Sequence, residues 1–186
     1  MRRRFAVAER TTAAAEGDVV VLLIGMRINH FWAVHHWLPV LASMPRTLRE
    51  LGKRPESGLL NHILLTASPR AYCVVPYGES KEKPYAYAHA PGTVHHRART
   101  FVDGKERQGR MRGHVGPWHE AYVVPQGSYE AIHADMPAFG LAAAHGQIAL
   151  EKRGRRAKDR FAYRPERPAR PEVAGKTAPS AVADGA

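Results

Sequence analysis

The segment from Asp18 to Ile28 constrains the fold most strongly. It reads D-V-V-V-L-L-I-G-M-R-I and is apolar on both faces of a strand. β-Branched and leucine residues favour strands, and a strand without a polar face is typically buried on both sides. Crossing a bilayer takes about 20 apolar residues, so this run predicts no membrane span. It must lie inside a layered fold.

An amphipathic helix is predicted after the first strand, with Pro45 bending or restarting it. Its apolar side chains recur every three or four residues as one core-facing stripe: Trp37, Val40, Leu41, Met44, Leu48 and Leu51. Gly58 to Thr66 and Ala71 to Tyr77 are strand-like and only four residues apart, which predicts an antiparallel hairpin. The polar segment from Glu79 to Gly109 is typical of a broken second helix.

Val115 to Asp135 supplies a fourth strand and a short fifth one, separated by Pro125-Gln126-Gly127. The resulting order is β-α-β-β-α-β, a ferredoxin-like antiparallel sheet of the α+β class. We therefore predict one such domain over residues 18–150.

Two-sided apolar strands also predict a homodimer. In a ferredoxin-like fold both helices pack on one sheet face, and an apolar opposite face left in water would be larger than monomers usually expose. A second copy is the simplest cover. We expect two sheets to face each other in a closed, isologous dimer, with a ligand cavity between the sheets or between sheet and helices.

The formal charge of +11 is concentrated at the ends of the chain. Residues 151–186 carry +5 and residues 1–17 carry +2. We predict a flexible N-terminal segment over residues 1–17. Residues 151–186, which are basic and rich in Pro and Ala, predict a disordered tail. Without a platform of interleaved aromatics, no specific nucleic-acid partner is predicted.

The lone cysteine, Cys73, excludes an internal disulfide and favours a reducing, cytoplasmic location. Neither His35-His36 nor His95-His96 is bracketed by further ligands, so no metal is predicted. No glycine-rich phosphate loop is present, so a tightly bound dinucleotide is not expected.

Four motifs carry a family resemblance: R-I-N-H-F-W-A-V-H-H-W-L-P-V from Arg27, G-L-L-N-H-I-L-L from Gly58, W-H-E-A-Y-V-V-P from Trp118 and Y-E-A-I-H-A-D-M-P-A-F-G-L from Tyr129. In this order they resemble a monooxygenase-like family formerly described as a domain of unknown function. That family belongs to the dimeric α+β barrel superfamily, which includes cofactor-independent quinol monooxygenases and haem proteins. The resemblance covers residues 18–145, with departures in residues 97–112.

Alternation along the fourth strand places Trp118, Glu120 and Tyr122 on one face and His119 on the other. A carboxylate between two aromatics is costly unless it is paired, protonated or functional. Glu120 is therefore our first candidate for a general base acting on a phenolic or enolic substrate, and His119 the second. The alternative is an edge strand with Glu120 in solvent.

His30 is the third catalytic candidate because it follows the first strand, where a strand end meets a cavity mouth. Asn29, Trp32 and Trp37 are predicted to orient an aromatic substrate there, and Tyr72, Trp118 and Tyr122 complete the predicted binding set. The alternative for Asn29-His30 is a loop-capping Asn beside a partly exposed His.

Two functions follow from the residues and the resemblance together. The favoured one is a monooxygenase-like enzyme for a small aromatic or polyketide-like substrate, with no tightly bound organic cofactor. The alternative is a non-catalytic or dehydratase-like barrel that binds haem or a small hydrophobic ligand.

Overall fold

The strands of the main sheet and the helices packed on it follow one another in the predicted order, β-α-β-β-α-β, with the second helical segment divided in two. A computed structural model describes residues 10–109 and 113–164. The strands are β1 Thr11–Ala13, β2 Val19–Ile28, β3 Leu59–Ser68, β4 Ala71–Gly78, β5 Val115–Val124 and β6 Gln147–Ala149. The helices are α1 Val34–Leu51, α2 Glu82–His89, α3 Val94–Arg107, α4 Leu141–His145 and α5 Ala157–Ala162.

The main sheet has the strand order β3-β4-β2-β5, and every neighbouring pair is antiparallel. β3 and β4 form the predicted hairpin, with Leu64 opposite Val74. β2 and β4 lie at the centre, and β3 and β5 lie at the edges. This is the ferredoxin-like arrangement, and the predicted fold class is confirmed.

The core lies between the sheet and the helices α1 and α3. Met26, Ile28 and Val115 are buried at its centre. Partly buried side chains from both helices and from β4 pack against them: Trp37, Val40, Leu41, Tyr72 and Val102. Met26 and Ile28 are two residues apart, so the even-numbered residues of β2 face the helices and the odd-numbered ones face away.

Helix α1 is continuous through Pro39 and Pro45. The predicted restart at Pro45 is therefore wrong. A proline inside a helix costs about 3 kcal/mol, whereas each fully buried large apolar side chain contributes about 1.5–3 kcal/mol. Burial of the apolar stripe thus offsets the lost backbone hydrogen bonds.

The predicted break in the second helical segment separates α2 from α3. A Glu50 oxygen accepts hydrogen bonds from the backbone N of Val94 at 2.8 Å and from the hydroxyl of Tyr87 at 3.0 Å. Burial, reinforced by this hydrogen bond, raises the pKa of Tyr87 to about 12. One carboxylate on α1 therefore fixes the start of α3 and the end of α2.

The folded body extends beyond residues 18–150 at both ends. β1, within the predicted flexible segment, pairs with β6, and Leu150 is buried beside them. Residues 157–162 form α5, whose Arg160 is buried against Glu130. The chain is therefore ordered past the predicted boundary, because Arg160 has a carboxylate partner within the domain. Residues 1–9 and 165–186, which complete the predicted tails, lie outside the described residues.

The predicted short fifth strand after Pro125 is not formed as a strand. Within Tyr129 to Asp135 the structure has a single antiparallel bridge, between His133 and Thr11. In the described parts of the chain, no helix combines the length and the apolar character that a bilayer crossing requires.

Candidate functional site

The first candidate site is the β5 group, formed by Trp118, Glu120 and Tyr122. These residues lie opposite Gly25, Leu23 and Val21 of β2. They share the sheet face that points away from α1 and α3, as the alternation predicted. All three side chains are exposed in the single chain. The β5 group is therefore a polar patch on an otherwise apolar sheet face.

Glu120 and Tyr122 are directly paired. The Tyr122 hydroxyl donates a hydrogen bond to Oε2 of Glu120. This hydrogen bond, together with the negative charge of Glu120, raises the pKa of Tyr122. Tyr122 therefore remains a phenol at neutral pH, and Glu120 is the acceptor of the pair.

The indole ring of Trp118 lies directly over Gly25 of β2, because Gly25 has no side chain. A Cβ at Gly25 would overlap the indole ring of Trp118. Gly25 also pairs with Cys73 on its other side. Burial raises the pKa of the Cys73 thiol, and the charge of Glu120 adds to this effect. The Cys73 thiol is therefore protonated at neutral pH, and it lies beside the β5 group.

His119 lies on the opposite sheet face from Glu120, as predicted. It is paired with Ile24 and is exposed, since α1 and α3 do not cover this part of β5. Glu120 and His119 therefore cannot both border the same small cavity.

The second candidate site is the histidine cluster, formed by His30, His36 and His114 with Trp32. The Nδ1 atoms of His30 and His114 are 3.2 Å apart. The ring of Trp32 lies edge-on to that of His114, with centroids 5.1 Å apart. His36 stacks on His114 from the other side, with centroids 4.9 Å apart and the rings 3° from parallel.

His36 is the buried member of the histidine cluster. Its Nδ1 has no hydrogen-bond partner. Burial lowers its pKa, and the charges of His35, His114 and Lys105 lower it further. His36 is therefore a neutral imidazole at pH 7.

Asn29 organises the loop that carries His30. Its backbone N donates to the carbonyl of His114 at 3.0 Å, and its own carbonyl accepts from the Arg70 guanidinium at 2.8 Å. Its side-chain oxygen accepts a longer hydrogen bond from Arg27, at 3.4 Å. The Arg70 guanidinium also lies over the ring of Phe31. Two cations thus converge on Asn29, next to the histidine cluster.

Trp37 and Tyr72 pack in the core, with their polar atoms bonded to the backbone. Trp37 Nε1 donates to the carbonyl of Phe31 at 3.0 Å, and the Tyr72 hydroxyl donates to that of Pro69 at 3.1 Å. Both residues support the loops around the histidine cluster. Their predicted contact with a substrate stays a prediction.

The predicted catalytic residues fall into two separate places. Glu120 is paired with Leu23, seven residues before His30 on the same chain segment. The strand continues from Leu23 to Ile28, and at about 3.3 Å per residue these five steps alone span roughly 17 Å. Glu120 and His30 therefore cannot act together on the same atom of a small substrate.

Sequence analysis missed the part that His114, His36 and Arg70 take in the second site. His114 is 84 residues from His30 along the chain and meets it only because β5 pairs with β2. In the described residues no group of three or more His, Cys, Asp or Glu side chains is arranged to hold a metal ion.

A shallow groove runs along the edge strand β3. It has a volume of about 350 Å³, within the range of small-molecule sites. Its lining comes from β3 and from the segment around α4: Asn61, His62, Ile63, Leu64, Ala138, Phe139, Gly140 and Ala143.

A comparison with protein families assigns this chain to one of them. The family model described as monooxygenase af470-like matches residues 19–141, more than half of the chain. This match confirms the resemblance read from the four motifs. No curated protein matches the sequence significantly.

Two crystal structures are similar to the chain. An aldoxime dehydratase in complex with butyraldoxime aligns with a TM-score of 0.55 at 14% identity, over 80% of this chain and 42% of that one. SnoaB, a cofactor-independent oxygenase from Streptomyces nogalater, aligns with a TM-score of 0.40 at 15% identity, over 59% of this chain and 95% of that one. The first similarity supports the fold alone, and the chain spans less than half of the dehydratase. The second is too weak to carry an argument.

Proposed function

We propose that this chain, which belongs to the monooxygenase af470-like family, oxygenates a small aromatic or polyketide-like substrate without a tightly bound organic cofactor. The observation that carries the proposal is the Glu120–Tyr122 hydrogen bond beside Trp118 on the apolar sheet face. This hydrogen bond brings a carboxylate and a phenol together on one strand, next to the indole ring of Trp118, and this supports general-base chemistry on an aromatic substrate.

Glu120 would take the proton of a phenolic or enolic substrate, and Tyr122 would stabilise the resulting anion through its hydroxyl. The substrate carbanion then reacts with O2. One oxygen atom forms the product carbonyl, and the other leaves as water with two substrate hydrogens. The substrate carbon supplies all four electrons that reduce O2, so the reaction balances without an added reductant.

A second copy of the chain would enclose the β5 group. On the sheet face that points away from the helices, large apolar side chains are exposed on both edge strands: Leu65, Trp118 and Tyr122. Removing such a surface from water is the main driving force of obligate association. A homodimer would give Glu120 the water-poor surroundings in which a carboxylate becomes a stronger base.

The alternative function is a barrel that binds haem or a small hydrophobic ligand. The groove along β3 favours it, because His62 contributes an imidazole to a partly apolar lining with Ile63, Leu64 and Phe139. His62 would hold the haem iron, and haem would supply redox or Lewis-acid chemistry there. The remaining lining residues would contact the porphyrin and limit access of water.

An absorption spectrum of the purified protein separates the two functions. A stoichiometric Soret band that is lost in His62→Ala would establish the alternative. For the oxygenase we expect oxygen consumption with at least one member of a quinol and anthrone panel. No consumption across that panel, from a protein with a featureless visible spectrum, would contradict the oxygenase.

Paired variants on β5 identify the base. Glu120→Gln should lower kcat by at least 100-fold, since it removes the base and keeps the shape. His119→Gln lies one residue away on the other sheet face and should keep kcat within about threefold. If His119→Gln lowered kcat and Glu120→Gln did not, the base would be His119, on the sheet face that carries the helices.

A further inference from the structure

We infer that the histidine cluster is a binding site for a planar aromatic anion, such as an aryl carboxylate or a phenolate. This site does not depend on the proposed oxygenase activity, which is assigned to the β5 group, separated from it by a strand segment of roughly 17 Å. It uses His30, Trp32, His36 and His114, with Arg27 and Arg70 beside them.

The aromatic part of the ligand is inferred from Trp32. Its side chain is 71% exposed. It is held by His30 and His114, whose ring centroids lie 5.6 and 5.1 Å from its own. Phe31 is also exposed, under the guanidinium of Arg70. Large rings that are both exposed and held in place offer a flat stacking surface at little entropic cost.

The anionic part is inferred from the surrounding charges. Arg27 and Arg70 converge on Asn29, the residue before His30. Lys105 on α3 acts on His36 from the helix side. Among the described residues none of these three cations is in a salt bridge with a carboxylate. Cations gathered without acidic partners favour an anionic ligand.

The His30–His114 pair adds hydrogen-bonding groups to the cluster. Its Nδ1 atoms are at hydrogen-bond distance, so one nitrogen donates and the other accepts.

His36 supports the histidine cluster from below. It is more than nine-tenths buried, and its ring is stacked with that of His114, with centroids 4.9 Å apart. A ligand carboxylate stacked with Trp32 would lie beside His114, the ring that His36 supports.

Isothermal titration calorimetry with 2-naphthoate, in buffer containing EDTA, tests the inference. We expect binding at least tenfold tighter than that of the neutral isostere 2-naphthylmethanol. No binding of 2-naphthoate, or equal affinity for the two compounds, would overturn the inference.

Matched variants locate the bound compound. Trp32→Ala and His114→Asn should each weaken 2-naphthoate binding at least tenfold. The controls Tyr85→Ala and His89→Ala, both exposed on α2, should leave it unchanged. Melting temperatures show whether each variant is folded. Trp32→Ala should fold like the wild type because the Trp32 side chain is largely exposed, so its effect on binding can be read even if His114→Asn is destabilised. Unchanged affinity in both cluster variants would overturn the inference.

Glu120→Gln separates this inference from the proposed activity. It should abolish oxygen consumption and leave 2-naphthoate affinity intact. Loss of affinity in Glu120→Gln would show that the compound binds at the β5 group, and would overturn the assignment to the histidine cluster.

Discussion

The indole of Trp118 lies directly against Gly25, its cross-strand partner, and no side chain larger than hydrogen fits between them. Glycine weakens a strand and is retained where another group approaches the backbone closely. Gly25 at the centre of β2 therefore positions the aromatic wall of the β5 group.

Gly25→Val should displace Trp118 and lower the free energy of unfolding by about 1–3 kcal/mol through overpacking. In a Trp118→Ala background the same change should cost nothing, since valine favours strands. The control is Gly116→Val on β5, where a Cβ would meet its nearest atoms at 3.9 and 4.0 Å. Chemical denaturation of the four proteins of this double-mutant cycle, together with the control, gives the coupling energy. A coupling near zero would contradict the contact.

Arg160→Ala should cost about 3 kcal/mol of unfolding free energy, because it leaves Glu130 partly buried without its cation. Arg160 Nε lies 2.7 Å from the Glu130 carboxylate, and its Nη1 also donates to two backbone carbonyls. The exposed pair of Arg155 and Glu151 is the control, and Arg155→Ala should cost less than about 0.5 kcal/mol. Equal effects of the two substitutions would show that α5 does not stabilise the domain.

The same contact changes the expectation for truncation. A chain that ends at residue 164 should keep the melting temperature of the full chain. A chain that ends at residue 150 should melt lower, since it lacks α5 and the buried Arg153 and Arg160. Calorimetry of the two truncated chains tests this prediction. Equal melting temperatures would show that the chain from residue 151 onward does not stabilise the domain.

Stability should decrease as pH falls below about 6.5, the ordinary pKa of histidine. Burial lowers the pKa values of His36, His95 and His145 in the folded chain. The unfolded chain therefore binds protons first as pH falls, so the stabilisation present above 6.5 is lost towards the lower folded pKa values. Melting temperatures from pH 7.5 to 5 test this. His36→Gln should flatten the dependence, and an unchanged slope would contradict the role of His36.

The homodimer predicts a mass of twice 20.6 kDa in light scattering and a melting temperature that rises with concentration. Leu65 on β3 lies opposite Cys73, on the sheet face that points away from the helices, and is 44% exposed in the single chain. Leu65→Arg should therefore break the dimer through a buried charge. Leu38→Arg on α1, where the side chain is 48% exposed, should leave it intact. A wild-type monomer at micromolar concentration would contradict the barrel.

Local patterns predicted most of the fold because each one depends on near neighbours. The apolar run of β2, the stripe of α1 and the short link between β3 and β4 each specify an element or a pairing. Alternation along β5 also separated Glu120 from His119 correctly. Local pattern left open whether α1 bends or restarts at Pro45, and the helix does not restart there. Composition predicted a disordered tail from residue 151, whereas α5 packs the buried Arg160 against Glu130.

The sequence by itself determined the order of strands and helices, the face that carries Glu120, Trp118 and Tyr122, and the family resemblance. Only the tertiary structure decided that His30 meets His114, that His36 is buried beneath them, and that Arg160 finds Glu130. The physical reason is range: periodicity reports which face a side chain occupies, whereas contacts between residues 30 or 84 positions apart are created by strand pairing and burial.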